Sequence, residues 1–263
     1  MNNSVSVEIK KEDKKKFKGF LLVLLASFIG GGFLGGSLAV CSSFGVVDAV
    51  VKPVLNIFLK SSVYANLIMA VLVLISVFII LSHSKKMVKE WNQEDDIMYS
   101  KINYNLSIGL IITYISQILS FCFFSAGILE MQRNQEVYRT EIYSHICFWA
   151  GFFGILIVIL VFQQKIINLV KVICPEKKGS IFDSKFQREW IASCDEAEKL
   201  IIYESSYTSF KVVSKACIVL WIISILGIMF MDSGIYPTIV ITVIWLCSTV
   251  SYCLKSMQLE KKH

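Results

Sequence analysis

Apolar residues are gathered along this chain in long blocks instead of alternating with polar ones. A helical block of about twenty residues spans the roughly 30 Å of hydrocarbon in a bilayer, and backbone amides in hydrocarbon must be satisfied within the segment. Six such blocks can be read, at 17–40, 63–82, 106–129, 146–167, 213–231 and 235–254. The pattern therefore predicts an all-α, polytopic membrane protein with about six transmembrane helices, built as a single membrane domain over 1–263.

Two polar stretches, 83–105 and 168–212, are predicted to form amphipathic helical extensions in the cytoplasm. Pro175 is expected to end the helix before it, and Ser180 or Asp183 to cap a new one. Apolar residues then recur at spacings of four and three, on one face of a helix. They are Phe182, Phe186, Trp190, Cys194, Ala197 and Ile201. This helix is expected to run unbroken into the fifth span.

Trp91, Phe186 and Trp190 are the candidate packing or docking residues of these extensions. The apolar face of an amphipathic helix must be buried against something. Three possibilities stay open: the two extensions pack on each other, they lie on the lipid interface, or they bind a partner protein.

The connections between blocks give further expectations. The segment 44–59 is moderately apolar but interrupted by Asp48, Lys52 and Pro53, which suits an interfacial or re-entrant helix better than a span. Only three residues, 232–234, separate the last two blocks. So short a connection predicts a tight antiparallel hairpin.

The basic residues predict the orientation. With the amino terminus inside, the inner segments hold 22 of the 26 Lys and Arg residues, and the outer ones hold Lys52, Lys60, Arg133 and Arg139. Because Lys and Arg accumulate on the cytoplasmic side, both termini are expected in the cytoplasm. The net charge of +6 is explained by this asymmetry and by contact with the lipid bilayer, so no nucleic-acid partner is implied.

Chemistry is sparse in this sequence. Charged residues make up 17% of it, against about a quarter in soluble domains. The eight cysteines form no C-x-x-C pair, and the three histidines suggest no metal site. Acidic pairs such as Asp95-Asp96 and Asp195-Glu196 suit a hydrated helix face better than acid–base catalysis. We therefore expect no enzyme activity, no catalytic or metal-binding residues and no cofactor.

The first block carries a run of glycines. Gly31/Gly35 and Gly32/Gly36 are two overlapping G-x-x-x-G pairs, which let another helix approach closely. They predict either packing inside the bundle or a homo-oligomer face. A weaker possibility is lipidation at Cys41, although Val40 departs from the usual small residue before the cysteine. In the third block, Gln117 is expected to hydrogen-bond to a neighbouring helix.

The two extensions share a pattern. Lys89-Glu90-Trp91 is followed by Asp96 and Tyr104, and Arg188-Glu189-Trp190 by Asp195 and Tyr203 at the same offsets. This could mark a repeated hairpin unit, as membrane proteins often contain. The different distances from each tyrosine to the next membrane block speak against it.

The stretch Pro175–Glu198, with Phe182-Asp183, Phe186, Trp190 and Ser193-Cys194-Asp195-Glu196-Ala197-Glu198, resembles the bacterial membrane-protein family called domain of unknown function 3169. The lysine-rich start, glycine-rich first helix and loop before the last hairpin fit the same plan. The resemblance implies a membrane protein of Gram-positive bacteria and carries over no functional residues.

Two functions suit these observations. One is a non-enzymatic protein of the bacterial cell membrane that acts through protein partners, in a regulatory, sensing or accessory role. The other is a membrane subunit of an export-type ABC transporter. It would need a separate ATPase, since the chain has no Walker motif.

Overall fold

The computed structural model describes residues 45–92, 94–138, 141–231 and 234–260, with the single positions Phe17, Leu22 and Leu25. The elements within these ranges are helices: α1 Val46–Glu90, α2 Asp96–Arg133, α3 Gln135–Tyr138, α4 Ile142–Ile173, α5 Phe186–Ala192, α6 Glu196–Met231 and α7 Tyr236–Glu260. Five of them are long and apolar enough to cross a membrane. The all-α prediction is confirmed at this level. The predicted first span, with Gly31, Gly32, Gly35, Gly36 and Cys41, lies outside the described residues apart from the three single positions.

The chain divides into two compact units. The first comprises Met1–Lys52 and Glu204–His263, and the second comprises Pro53–Tyr203. The boundaries fall inside α1 and α6.

The second unit has an apolar core between α1, α2 and α4. Its buried members are Val73, Val77 and Leu81 of α1, Ile102 and Leu106 of α2, and Ile155, Ile159, Phe162, Ile166, Leu169 and Ile173 of α4, extended by Cys174. They recur every three or four residues on each helix, so one face of each helix meets the other two. The opposite faces expose large apolar side chains such as Phe78, Ile118 and Ile157, as lipid contact requires.

Glycine lets α1 and α4 approach closely in this core. A Cβ atom on Gly151 would lie 2.8 Å from the backbone nitrogen of Leu67. Three residues later on the same helix, a Cβ on Gly154 would meet nothing within 4 Å. The backbone of α4 is therefore fitted tightly to that of α1 at Gly151, whereas Gly154 faces open space.

Polar side chains form a seam inside the same unit. Thr113 and Gln163 are buried and joined by a 3.3 Å hydrogen bond in which the Gln163 amide donates. The Asn66 amide donates to the carbonyl of Ser120 at 3.4 Å. Interhelical hydrogen bonds of this kind therefore lie near Gln117, which is half-buried. The interhelical bond expected of Gln117 itself stays a prediction.

The first unit contains a helical hairpin made by α7 and the part of α6 after Tyr203. Phe210 stacks on Tyr252 with ring centroids 4.5 Å apart. Closer to the connection, the hydroxyls of Ser224 and Thr238 lie 2.7 Å apart. The paired residues follow opposite orders along α6 and α7, so the two helices are antiparallel. Gly234 lies between them, and its φ of +67° suits glycine. The predicted hairpin is confirmed.

Two expectations about helix limits are wrong. The segment 44–59 is not a separate element, because α1 continues through Pro53 for 45 residues. A proline removes one backbone donor, a loss that membrane helices tolerate. The amphipathic stripe is also not one helix, because residues 193–195 separate α5 from α6. Ser180 and Asp183 lie in turns, and the helix after them begins only at Phe186.

Candidate functional site

A pocket of about 460 Å³ lies in the second unit, where three helix ends meet. The start of α2, the end of α4 and the start of α6 line it, together with residues of the connection 174–195. Pro175 ends α4 as predicted, since the helix stops at Ile173. The lining residues are Tyr99, Asn103, Leu106, Ser107, Leu110, Ile167, Val170, Cys174, Lys177, Trp190, Cys194, Glu198, Ile201 and Ile202.

Lys177 is the organising residue of this pocket. Its side chain is only 4% exposed, and its ammonium forms an ion pair with the carboxylate of Glu198, which is 36% exposed. The same nitrogen lies 3.3 Å from the Sγ of Cys194 and 5.9 Å from the ring centroid of Trp190. A buried cation needs such partners to offset its lost hydration. The ion pair therefore fastens the connection to the first turn of α6.

Lys177 stays protonated at neutral pH. Burial alone would lower the pKa of its ammonium. The hydrogen bonds to Glu198 and then to Cys194 outweigh burial, so that its pKa is raised above the ordinary 10.5. An amine serves as a nucleophile or general base only when neutral. Lys177 is thus suited to binding an anion, not to amine chemistry.

The break between α5 and α6 is built by a capping box. The Asp195 side chain accepts from the Glu198 backbone N–H at 2.7 Å, and the Glu198 side chain accepts from the Asp195 N–H at 3.0 Å. Such reciprocal bonds satisfy the free amides of a helix start. The helix therefore begins at Glu196, and Glu198 holds both the cap and Lys177.

Two further contacts fix the connection. The Lys171 ammonium donates to the carbonyl of Gly179. Gly179 has a φ of +106°, and a Cβ there would lie 2.9 Å from the Phe186 ring. Both the backbone conformation and the space require glycine.

The predicted docking residues lie in and beside this pocket. Trp190 lines it and contacts Phe186, with ring centroids 5.5 Å apart. Trp91 lies just after α1, donates from its indole to the Asp95 carbonyl at 3.1 Å, and contacts the ring of Tyr99 at 5.9 Å. Tyr99 and Trp190 both line the pocket.

The two extensions resemble each other in how they cap a helix. Asp95 caps α2 by accepting from the backbone of Ile97 and Met98, as Asp195 caps α6. The capping aspartates lie four residues after Trp91 and five after Trp190, so the two patterns are not in register. The proposed repeat stays a prediction.

Sequence reasoning missed Lys177, Glu198, Cys194 and Tyr99 as site residues. The sequence pattern did not distinguish Lys177 or Glu198 from the polar residues around them. In the structure, Asp195 and Glu196 are exposed as expected, but Glu198 is half-buried against Lys177. The one local signal was the spacing Asp195-x-x-Glu198, which matches a capping box.

A second, smaller pocket of about 330 Å³ lies at the opposite ends of α2 and α4, lined by Met131, Gln135, Tyr138 and His145. Glu130 is buried nearby and accepts from Asn134 at 2.9 Å. Within the described ranges, no three His, Cys, Asp or Glu side chains are grouped so as to hold a metal ion. The pocket at Lys177 contains a buried cation paired with a carboxylate, and it is the stronger candidate site.

A family model described as "Protein of unknown function (DUF3169)" matches residues 14–256. The chain belongs to the DUF3169 family. This confirms the resemblance carried by Pro175–Glu198, and the match places the whole Lys177 pocket within the DUF3169 region. No curated protein and no solved structure matches the chain significantly.

Trp91 and Trp190 should contribute to stability together. Both are half-buried, so Trp91→Ala and Trp190→Ala should each cost roughly 1.5–2.5 kcal/mol, about half the cost at a fully buried site. Because Trp91 contacts Tyr99, and Tyr99 lines the same pocket as Trp190, the double variant should cost less than the sum by at least ~0.5 kcal/mol. Denaturant unfolding in detergent measures all three values.

The control for this cycle is Trp91→Ala combined with Trp149→Ala, because Trp149 lies near the start of α4 in the same unit, whereas Trp91 contacts Tyr99 beside the end of α4. That pair should be additive. Additivity for Trp91 with Trp190 as well would show that the two extensions do not support each other.

Proposed function

We propose that this DUF3169 protein is non-enzymatic and acts through a protein partner, in a sensing or regulatory role. The observation that supports this most is the connection 174–195. Its interior is fastened by Lys177 and Glu198, while Phe182 on its outer side is 70% exposed. A loop with a fixed shape and an outward aromatic side chain suits recognition, since aromatic residues are enriched in protein interfaces.

The groups inside the pocket favour binding over catalysis. Lys177 is protonated and paired, as its raised pKa requires. Cys194 lies against that ammonium and donates its thiol to the carbonyl of Trp190 at 3.3 Å. The Cys174 thiol lies 3.3 Å from the Tyr99 hydroxyl. These contacts hold helix ends together.

Partner capture tests this function. The chain is purified from its own cells in mild detergent, beside Phe182→Ala and the exposed control Gln187→Ala. A stoichiometric partner should be retained by the wild-type chain and the control. Phe182→Ala should lose it without a change in unfolding temperature, because an exposed side chain adds little to stability.

Equal retention of every copurifying protein by Phe182→Ala and the wild-type chain would contradict this use of the connection. A stoichiometric ATPase that survives Phe182→Ala would instead support the export-transporter subunit.

We further propose that the protein resides in a bacterial cell membrane with both termini in the cytoplasm. The apolar helices support a membrane location, and the concentration of Lys and Arg in segments such as 165–215 supports this orientation. In that orientation, the connection 174–195 and the Lys177 pocket face the cytoplasm.

Thiol labelling tests the orientation, with sites chosen by exposure. Cys174 and Cys194 are buried, so they would resist a thiol reagent on either side of the membrane. Ser184 and Gln135 are exposed at opposite ends of the second unit. In a cysteine-free chain, Gln135→Cys should react with a membrane-impermeant maleimide on intact cells, and Ser184→Cys only after the cells are opened. The reverse order would overturn the orientation.

A further inference from the structure

The lining of the Lys177 pocket becomes more apolar with distance from the helix ends that meet there. On α2, Tyr99 and Asn103 come first, and Leu106, Ser107 and Leu110 follow. From Tyr99 to Leu110 the helix rises about 16 Å at 1.5 Å per residue. On α6, Glu198 comes first and Ile201 and Ile202 follow, and α4 contributes only the apolar Val170 and Ile167. The pocket thus has a polar end near the helix termini and an apolar end deeper along the helices.

The polar end carries one anchored cation. Lys177 is buried among Glu198, Cys194 and Trp190, whereas Glu198 is much more accessible to water. The carboxylate can therefore turn outward at lower cost than the ammonium, provided that another anion takes its place. The raised pKa keeps the positive charge on Lys177 through the physiological range.

We propose that this pocket binds a single-chain anionic amphiphile, such as a long-chain fatty acid or a lysophospholipid with an anionic head. The head takes the place of the Glu198 carboxylate on Lys177. The hydrocarbon chain lies along Leu106, Leu110, Ile167 and Ile202.

The volume favours one chain over two. About 460 Å³ lies in the range of small-molecule sites, and three helices line it. A second acyl chain would have to leave the pocket for the outer surface. Carboxylate and phosphate heads share the chemistry that Lys177 recognises, so the experiment must separate them.

Binding would also disturb the start of α6. Glu198 is one half of the capping box with Asp195. An anion that displaces Glu198 from Lys177 loosens the link between the connection and α6, and Phe182 lies on that connection. This proposal rests on the proposed sensing role, and the anionic amphiphile is the ligand that the protein senses.

The test uses the full chain in bilayers of uncharged phosphatidylcholine. Bromine-labelled palmitate is titrated while tryptophan fluorescence is followed, since Trp190 lines the pocket and bromine quenches only nearby indoles. Quenching should saturate with palmitate. Quenching by a cationic amphiphile or by an uncharged monoacylglycerol with the same brominated chain should not saturate. Competition by unlabelled lysophosphatidylglycerol shows whether a phosphate head binds as well as a carboxylate.

Three variants sharpen the result. Lys177→Gln should weaken palmitate binding about ten- to a hundredfold, through loss of charge-assisted bonds. Glu198→Gln keeps the capping bond, because glutamine serves in a capping box, but it removes the competing charge. It should bind palmitate several-fold more tightly. Ser107→Phe fills the pocket from an exposed lining position and should abolish saturation without unfolding the core.

Weaker or unchanged binding by Glu198→Gln would overturn the proposal, as would equal saturation by the cationic amphiphile. Non-saturating quenching by palmitate would show partition into the bilayer only, and would also overturn it. These outcomes are independent of partner capture. If palmitate does not bind but Phe182→Ala loses a partner, only the ligand proposal fails. If palmitate binds but Phe182→Ala keeps every partner, only the proposed partner function fails.

Discussion

Gly151→Ala should destabilise the second unit, although alanine is the better helix former. The added Cβ would lie 2.8 Å from the Leu67 backbone nitrogen and 3.2 Å from its Cα. Backbone atoms inside a helix cannot turn aside as a side chain can, so α1 and α4 must move apart. Overpacking of this kind costs roughly 1–3 kcal/mol. Unfolding of the purified protein in detergent, followed by circular dichroism, measures the loss.

Gly154→Ala on the same helix is the matched control. Its Cβ meets nothing within 4 Å, so the change should be neutral or should stabilise by up to about 1 kcal/mol through helix propensity. If both variants lose the same stability, the cause is the alanine itself, and the close approach of α1 and α4 at Gly151 is refuted.

Removal of Glu198 should cost far more than removal of Lys177. Glu198→Leu leaves the buried Lys177 ammonium without an anion and also breaks the capping box, for a loss of roughly 3 kcal/mol. Lys177→Met leaves a carboxylate that is already 36% exposed and can turn to water. That loss should be about 1 kcal/mol or less. Glu198→Gln keeps the cap, so its loss of stability should lie between those of Glu198→Leu and Lys177→Met.

The pH dependence of the same pair has a definite sign. The folded pKa of Lys177 is raised above 10.5, so its contribution to stability is fully present below the unfolded pKa and is lost as pH rises through the folded pKa. The difference in unfolding temperature between wild type and Lys177→Met should therefore stay constant from pH 7 to about 10 and shrink at higher pH. A difference that shrinks toward acid in this range would contradict the assignment.

The membrane helices could be predicted because their signal is local. Each apolar block, such as 106–129 in α2, is long enough by itself to identify a span. The ends of the helices were harder, since α2 begins at Asp96 and α4 runs to Ile173, well beyond the apolar blocks. Helical backbone continues into water wherever caps or packing support it, and these depend on single residues such as Asp95.

The candidate site could not be predicted because its parts are distant in the chain. Tyr99 and Cys174 are 75 residues apart, and Lys177 and Glu198 are 21 apart. Nothing in the local pattern separates Lys177 from its exposed neighbour Lys178. The sequence also did not identify which glycine allows two helices to approach closely. The sequence drew attention to the run at 30–36, whereas the close approach between the backbones of α1 and α4 occurs at the isolated Gly151.

The burial of Cys194 makes its thiol a built-in probe of local opening of the connection 174–195. The thiol is 7% exposed and lies beneath Lys177, so a reagent can reach it only while the connection is transiently detached. When reclosing is faster than the reaction, the observed rate divided by that of an unstructured cysteine equals the fraction of time spent open. In a chain that keeps Cys194 as its sole cysteine, this ratio of rates can be measured without an attached dye. It would show how much a ligand, a partner or a substitution stabilises the closed form of the connection.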